Sequence, residues 1–272
     1  MRKVLMTGAS GQIGTRLRTL LKPIYPELVL SDLKAPEDLR PDETFIAADL
    51  SKFDEIEAAV AGMDGIVHLG GYSVEGPWES ILQANIIGGY NLFEAVRRQG
   101  VKRVVFASSY HVIGLHPRHD TISTDIVPLP DTRYGVSKLF GEGLAALYAY
   151  KHGISVLSIR IGNVGDAPVD ERRLSVWLKP EDLVSLIRIG LERPKLVYEV
   201  VYGVSDNKRS WWDNEMAYAL GYRPEGQSEP YAPAILAARA GQPKDEIGDY
   251  FQGGPFATQE FDADLERIRE MG

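Results

Sequence analysis

Thr7-Gly8-Ala9-Ser10-Gly11-Gln12-Ile13-Gly14 follows the apolar run Val4-Leu5-Met6 and opens a stretch with Ile13, Leu17, Leu20 and Leu21 at helical spacing. Strand, glycine turn and helix in that order suit a dinucleotide. Glycines permit a tight turn and a close backbone approach to the pyrophosphate, whose charge then rests at a helix amino terminus. Gly8, Gly11 and Gly14, with Gln12 and Ile13 between them, are the candidate contacts. A glycine-bearing βα turn also occurs without any ligand, so the flanking strand and helix carry the reading. Asp32, followed by Leu33, ends the next apolar run at the distance expected for an acid that hydrogen-bonds a ribose 2′-hydroxyl. A carboxylate there repels the 2′-phosphate of NADP and favours NAD. Lys34 leaves some tolerance for NADP, and a surface turn is the competing reading of Asp32.

Beyond this turn, apolar runs at 28–30, 45–47, 65–69, 103–107 and 155–160 alternate with helical patterns over 12–21, 52–61, 78–98 and 133–151. Strands apolar throughout and separated by amphipathic helices imply a parallel sheet covered on both faces. Right-handed crossovers make it an α/β, Rossmann-type doubly wound fold. Residues 1–160 are the expected NAD-binding core carrying the catalytic residues. After Arg160 the alternation decays. Residues 166–173 read as a polar loop, 180–191 as a helix, 196–201 as a strand, 211–220 as a helix and 221–233 as loop. Residues 161–272 are therefore expected to form a small C-terminal substrate lobe that partly completes the sheet, within a single unit.

The 272 residues, 44% hydrophobic and 25% charged, suffice for one sizeable core. A net charge of −8 argues against nucleic acid or an anionic membrane as partner, since both call for a dominant basic field. A small anion held by one or two arginines stays compatible. With no cysteine, disulfides, thiolate nucleophiles and cysteine-ligated zinc are excluded. No run of about 18 apolar residues exists to span a bilayer. Met1-Arg2-Lys3-Val4-Leu5 enters a strand pattern at once, leaving no room for a signal peptide, so a cytoplasmic protein is expected. His68 sits in an apolar run and reads as a core residue. His111, His116 and His119 cluster without a ligand set at metal spacing, so no metal is expected.

Tyr134-Gly135-Val136-Ser137-Lys138 places a phenol and an ammonium four residues apart on one helix face. Removing a hydroxyl proton near neutral pH needs a base, and a free tyrosine, at about 10, is too weakly acidic to be ionised there. A neighbouring lysine and a cationic nicotinamide are expected to lower that value, and the lysine can also hold the nicotinamide ribose. Such a pair is common on solvated helix faces. Its weight comes from Phe106-Ala107-Ser108-Ser109, where a strand-end serine can hydrogen-bond the same substrate oxygen.

The spacing G-x-x-G-x-x-G with its preceding threonine resembles the extended short-chain dehydrogenase/reductase family. Asp49-Leu50, Leu69-Gly70-Gly71 and Asn85 in Asn-Ile-Ile-Gly stand where that family contacts adenine, passes the cofactor's phosphates and ribose, and places an asparagine that supports the site. Ser109, not Ser108, lines up with its active-site serine, and Ser108 is expected to be a packed neighbour. At closer range the chain is similar to the uronate dehydrogenases. The likeness runs through His68-Leu69-Gly70-Gly71-Tyr72-Ser73-Val74-Glu75, Phe106–Gly114, Tyr134–Lys138, Arg160-Ile161-Gly162-Asn163, Arg172-Arg173-Leu174-Ser175-Val176-Trp177, Trp211-Trp212-Asp213-Asn214 and Phe251-Gln252-Gly253-Gly254-Pro255-Phe256.

That resemblance implies NAD-dependent oxidation of the anomeric carbon of galacturonate or glucuronate to an aldarolactone. Tyr134, Lys138 and Ser109 would be catalytic, and Ser73, Ser109, Tyr110, His111, Asn163, Arg172 and Phe256 would line the sugar site. Arg172 also has a physical argument, because a guanidinium fork suits a carboxylate; a solvated loop arginine beside Arg173 is the alternative. The family has asparagine at the position of Tyr110 and serine at that of Asn163, so an aldose or sugar-phosphate 1-dehydrogenase of the same mechanism is the second reading. A non-catalytic NAD sensor is a third, which intact Tyr134, Lys138 and Ser109 disfavour. Epimerase or dehydratase activity is a minor fourth, because it would need further acid/base groups that the sequence does not reveal. The long helical stretches 78–98 and 133–151 are of the sort that pair subunits in this family, implying a homo-oligomer.

Overall fold

Successive side chains along each central strand enter different cores. In β1 (Lys3–Thr7) Val4 and Met6 join one cluster and Leu5 the other. In β5 (Arg103–Ser109) Val105 and Ala107 join the first, Val104 and Phe106 the second. This period-2 partition onto two buried faces explains why the strands read as unbroken apolar runs. The computed structural model describes residues 1–241 and 243–271. The remaining strands are β2 (Glu27–Asp32), β3 (Thr44–Ala47), β4 (Gly65–His68), β6 (Ser155–Ile161), β7 (Asn163–Val164), β8 (Trp177–Leu178) and β9 (Tyr198–Gly203). Among the described residues a seven-stranded sheet runs β3-β2-β1-β4-β5-β6-β9, with every pairing parallel. The order reverses between β1 and β4, and a doubly wound sheet binds its ligand outside the carboxyl ends of such strands.

The first core lies under α1 (Gln12–Leu21); the second is covered by α2 (Phe53–Val60). The sequence predicts one continuous helix over 78–98. The structure instead has α3 (Trp78–Ile81), a π-helical turn over Leu82–Ile87 and α4 (Gly88–Arg98), which packs on the second core. The wider turn carries Asn85 onto the Tyr72 backbone. Asn85 Oδ1 accepts from Tyr72 N at 2.7 Å, and Nδ2 donates to Tyr72 O at 2.9 Å and Ser137 Oγ at 2.8 Å. π turns of this kind gather at functional sites.

Helix α5 (Arg133–His152) starts where the Thr132 hydroxyl accepts from Gly135 N and stops at Gly153, in the left-handed region at φ 66°. Its cap fixes the first turn, which carries Tyr134. A one-turn α6 (Arg173–Val176) follows the irregular stretch ahead of it, and α7 (Pro180–Glu192) packs with α1 on the first core. The chain beyond Arg160 thus supplies the edge strand β9 as well as cover. The expected helix over 211–220 shrinks to α8 (Glu215–Ala219), because Trp212 bridges Ile122 and Asn214 pins both backbone groups of Tyr202. Helices α9 (Ala232–Arg239), α10 (Pro255–Thr258) and α11 (Leu265–Met271) complete the order. A third cluster, with Tyr110, Val112, Ile113, Val176, Tyr202 and Trp212, packs beside the strand ends. No described helix is long and apolar enough to cross a membrane.

Candidate active site

The carboxyl ends of β1, β2, β4, β5 and β6 open on one cleft of about 760 Å³. At one end backbone shapes it. Gly8 has φ +71°, and a Cβ there would stand 2.7 Å from Gly70 N. A Cβ on Gly14 would meet Gly8 O at 2.2 Å, so the first strand and helix close together only through glycine. Gly11 caps α1 with no side-chain hydrogen bond, and Gln12, Ile13 and Gly14 present the uncapped first turn to the cleft. That cradle fits a pyrophosphate. Asp32, at the tip of β2, accepts from Ser10 N at 3.0 Å and Leu33 N at 2.7 Å. Asp49 accepts from Ser51 N and Oγ, which hold its carboxyl below the usual range.

Of the residues expected to contact cofactor, Gly8, Gly11, Gln12, Ile13, Gly14, Asp32, Leu33, Asp49, Leu50, Leu69, Gly70, Gly71 and Lys138 line this cleft. Asn85 does not. It is buried behind Tyr72, and Gly71, at φ +137°, passes so close that a Cβ would stand 2.6 Å from Asn85 Oδ1. The amide is fully spent on Tyr72 and Ser137, so it braces the turn instead of reaching into the cleft. His68 is the expected core residue: Nδ1 lies 2.7 Å from Thr7 Oγ1, which in turn accepts from Gly70 N at 3.2 Å.

Midway along the cleft, Tyr134, Ser109 and Lys138 converge. Tyr134 N donates to Glu75 Oε2 at 3.0 Å, tying the first turn of α5 to the loop after β4. Lys138 Nζ donates to Ala107 O at 2.8 Å and lies 5.7 Å from the Tyr134 ring centre. Burial pushes the phenol up to about 12, opposed by its hydrogen bond with Ser109. The same dry surroundings press the lysine down to about 8. The expected lowering of Tyr134 by Lys138 is therefore corrected: desolvation prevails, and the ammonium is engaged by a carbonyl. Ser108 is the packed neighbour, donating to Glu142 Oε1 at 2.6 Å beside the buried Glu142–Arg160 pair.

At the far end side chains hold one another. Arg172 Nη1 donates to the Tyr110 hydroxyl. Arg173 Nε donates to Asn163 Oδ1 at 2.8 Å and pairs with Asp170. The His111 ring stacks on Phe256 with centroids 4.2 Å apart. Ser73 lines the same wall, so every residue expected at a sugar site faces the cleft. Val74, Gln83 and Arg173 line it too and escaped the sequence reading. Only Arg173 had a signal, its place beside Arg172. His116 Nε2 lies 2.9 Å from Val127 O, and His119 is exposed. Among the described residues no group of three or more His, Asp or Glu is placed to hold a metal ion.

The NAD dependent epimerase/dehydratase family model matches residues 4–174. The chain is 43% identical to the uronate dehydrogenase of Pseudomonas syringae pv. tomato over 94% of this chain and 93% of that protein. It is 34% identical to the NAD-dependent glucose-6-phosphate dehydrogenase of Haloferax volcanii, over 84% of this chain and 95% of that one. Among solved structures, a uronate dehydrogenase mutant from Agrobacterium tumefaciens complexed with NAD matches with a TM-score of 0.91 at 42% identity, covering 95% of this chain and 97% of that chain.

Proposed function

Since the chain belongs to the NAD dependent epimerase/dehydratase family, we propose that it oxidises a free hexuronate, galacturonate or glucuronate, at the anomeric carbon to the aldarolactone, with NAD. One observation carries this reading. A single cleft follows the strand order from the glycine cradle after β1, past Ser109 at the end of β5 with Tyr134 beside it, to Arg172 beyond β6. Similarity to uronate dehydrogenases along nearly the whole chain supports it.

When bound, NAD supplies the hydride acceptor and a positive charge near the phenol. Gly8, Gly11 and Gly14 hold its pyrophosphate, Asp32 its adenosine ribose, and Asp49 with Leu50 the adenine. Tyr134 Oη takes the proton of the anomeric hydroxyl. The positive charge of bound NAD would favour the phenolate against the burial that raises the phenol's pKa, so that Tyr134 can act as the base. Ser109 Oγ hydrogen-bonds the same substrate oxygen and steadies the charge that develops there. Lys138, fixed by the Ala107 carbonyl, contributes positive potential and a donor for the nicotinamide ribose. Arg172 commits one N–H to Tyr110 and keeps others for the sugar carboxylate.

A sugar phosphate is the second reading, favoured by the Haloferax volcanii relative and by the adjacent Arg173. Asp170 already neutralises Arg173, which leaves one guanidinium for one anionic charge and favours the carboxylate. Tyr90, Phe140, Leu147 and Tyr150 are exposed on α4 and α5 and support self-association through those helices.

The test is NADH formation by the purified protein offered galacturonate, glucuronate, galactose, glucose and glucose 6-phosphate. Uronates are expected to be turned over fastest. Faster turnover of neutral sugars or of the phosphate contradicts the proposal.

A further inference from the structure

Asp131 lies beneath the sugar end of the cleft with its side chain wholly out of solvent. Its Oδ2 is 2.7 Å from His111 Nδ1, and its Oδ1 accepts from Thr132 Oγ1 at 2.9 Å. Two glycines make room for it. A Cβ on Gly114 or on Gly253 would stand 1.9 Å from the same Oδ2. Gly253 N also donates to Gly114 O at 2.8 Å, closing the backbone over the carboxyl group. Among the described residues no lysine or arginine forms an ion pair with Asp131. A carboxylate taken out of water needs hydrogen bonds to be tolerated, and here His111 and Thr132 supply them.

The histidine is held on its other sides as well. Phe256 stacks on it with centroids 4.2 Å and planes 19° apart, the Tyr110 centroid lies 4.2 Å away, and the Tyr134 ring stands edge-on with its centroid 5.9 Å away. A carboxylate only accepts, so the shared proton sits on Nδ1 and Nε2 is left as the ring's remaining polar atom. His111 itself lines the cleft.

We propose that Asp131 is a positioning residue for substrate recognition: it fixes the tautomer and ring plane of His111 so that Nε2 is presented to the sugar. This rests on the reading of the cleft as a hexuronate site for the identity of the sugar, and on geometry alone for the pairing. Asp131 does not line the cleft; it acts through His111, which does. A neutral amide in its place can donate to or accept from Nδ1, so the ring loses its single tautomer while the packing stays.

The experiment compares wild type with Asp131→Asn, His111→Gln and the double variant. Asp131→Asn is expected to raise the KM for galacturonate about tenfold, with kcat and the NAD Kd within about threefold of wild type. The double variant is expected to lose no more than His111→Gln alone, because the two residues act as one unit. Proton–nitrogen spectra of protein labelled with 15N-histidine supply a readout that packing does not move. Wild type should show an Nδ1–H resonance absent from His111→Gln and replaced in Asp131→Asn by a mixed-tautomer pattern. Independent, multiplying losses in the double variant, or an unchanged His111 pattern in Asp131→Asn, overturns the proposal. Should Asp131→Asn fail to fold, wild type against His111→Gln decides: no His111-dependent Nδ1–H signal overturns it. The spectra need no sugar, so a wild type that shows the signal but ignores uronates sinks the hexuronate reading and leaves the pairing intact.

Discussion

The two ends of the cleft are shaped by different parts of the chain. At the cofactor end close-packed glycines set the shape: Gly8 against Gly70 and Gly14 against Gly8, backbone to backbone, and Gly71 against the Asn85 side chain, all within the first 85 residues. At the sugar end it is side chain on side chain across long separations, Arg172 to Tyr110, His111 to Asp131 and to Phe256. The backbone-built end leaves no space for added atoms, so its sequence is constrained position by position. Although Gly114 and Gly253 enclose Asp131 there, the sugar end can change its ligand through a few substitutions where one side chain is held by another. Tyr110 and Asn163 are cases in point. Both stand where the resemblance leads one to expect another residue, and both are the partners of the adjacent arginines.

The largest effect is expected where the two ends meet. Tyr134→Phe removes the proton acceptor and should lower kcat by about 10²–10⁴-fold. Its phenol bonds to Ser109 alone among the described side chains that perturb it through hydrogen bonding, so NAD binding should survive. Near-normal turnover would remove Tyr134 from its proposed role. Next comes the cofactor end. Gly14→Ala drives a methyl to 2.2 Å from Gly8 O and should weaken NAD binding at least tenfold by calorimetry, in line with the roughly 1–3 kcal/mol typical of overpacking. Normal affinity would mean that the glycine turn tolerates added atoms. A smaller effect is expected of Asp32→Asn, which takes away a charge and keeps one acceptor for the Ser10 or Leu33 N–H. The ratio of kcat/KM with NADP to that with NAD should rise about tenfold, since the repulsion of a 2′-phosphate is gone.

The contrast also explains what could be read in advance. The glycine turn, the parallel sheet and Asp32 were legible because each follows from local constraints: a positive φ at Gly8, unbroken apolar runs along β1 and β5, a strand tip at Asp32. The π turn was not, because Leu82–Ile87 has the same apolar spacing as the α-helix around it and its cause is the distant backbone of Tyr72. The one-turn helices α6 and α10 are too short to show a period. Asp131 was invisible because its partners at His111, Gly114 and Gly253 are brought to it only by folding. The lysine's expected effect on Tyr134 failed on burial, a quantity that a four-residue spacing does not contain.

On the proposed reading, one guanidinium, that of Arg172, turns a general sugar oxidoreductase cleft into one for an acid. The most direct measurement is the ratio of kcat/KM for galacturonate to that for galactose, sugars that differ only at the carboxylate-bearing carbon, in wild type and in Arg172→Ala. Loss of a charge-assisted, bidentate partner should raise the KM for galacturonate by about 10–100-fold while leaving galactose nearly unaffected. The wild-type ratio is expected to be at least about 100 and to collapse toward one in the variant. A wild type that prefers galactose, or a variant that keeps the ratio, contradicts it.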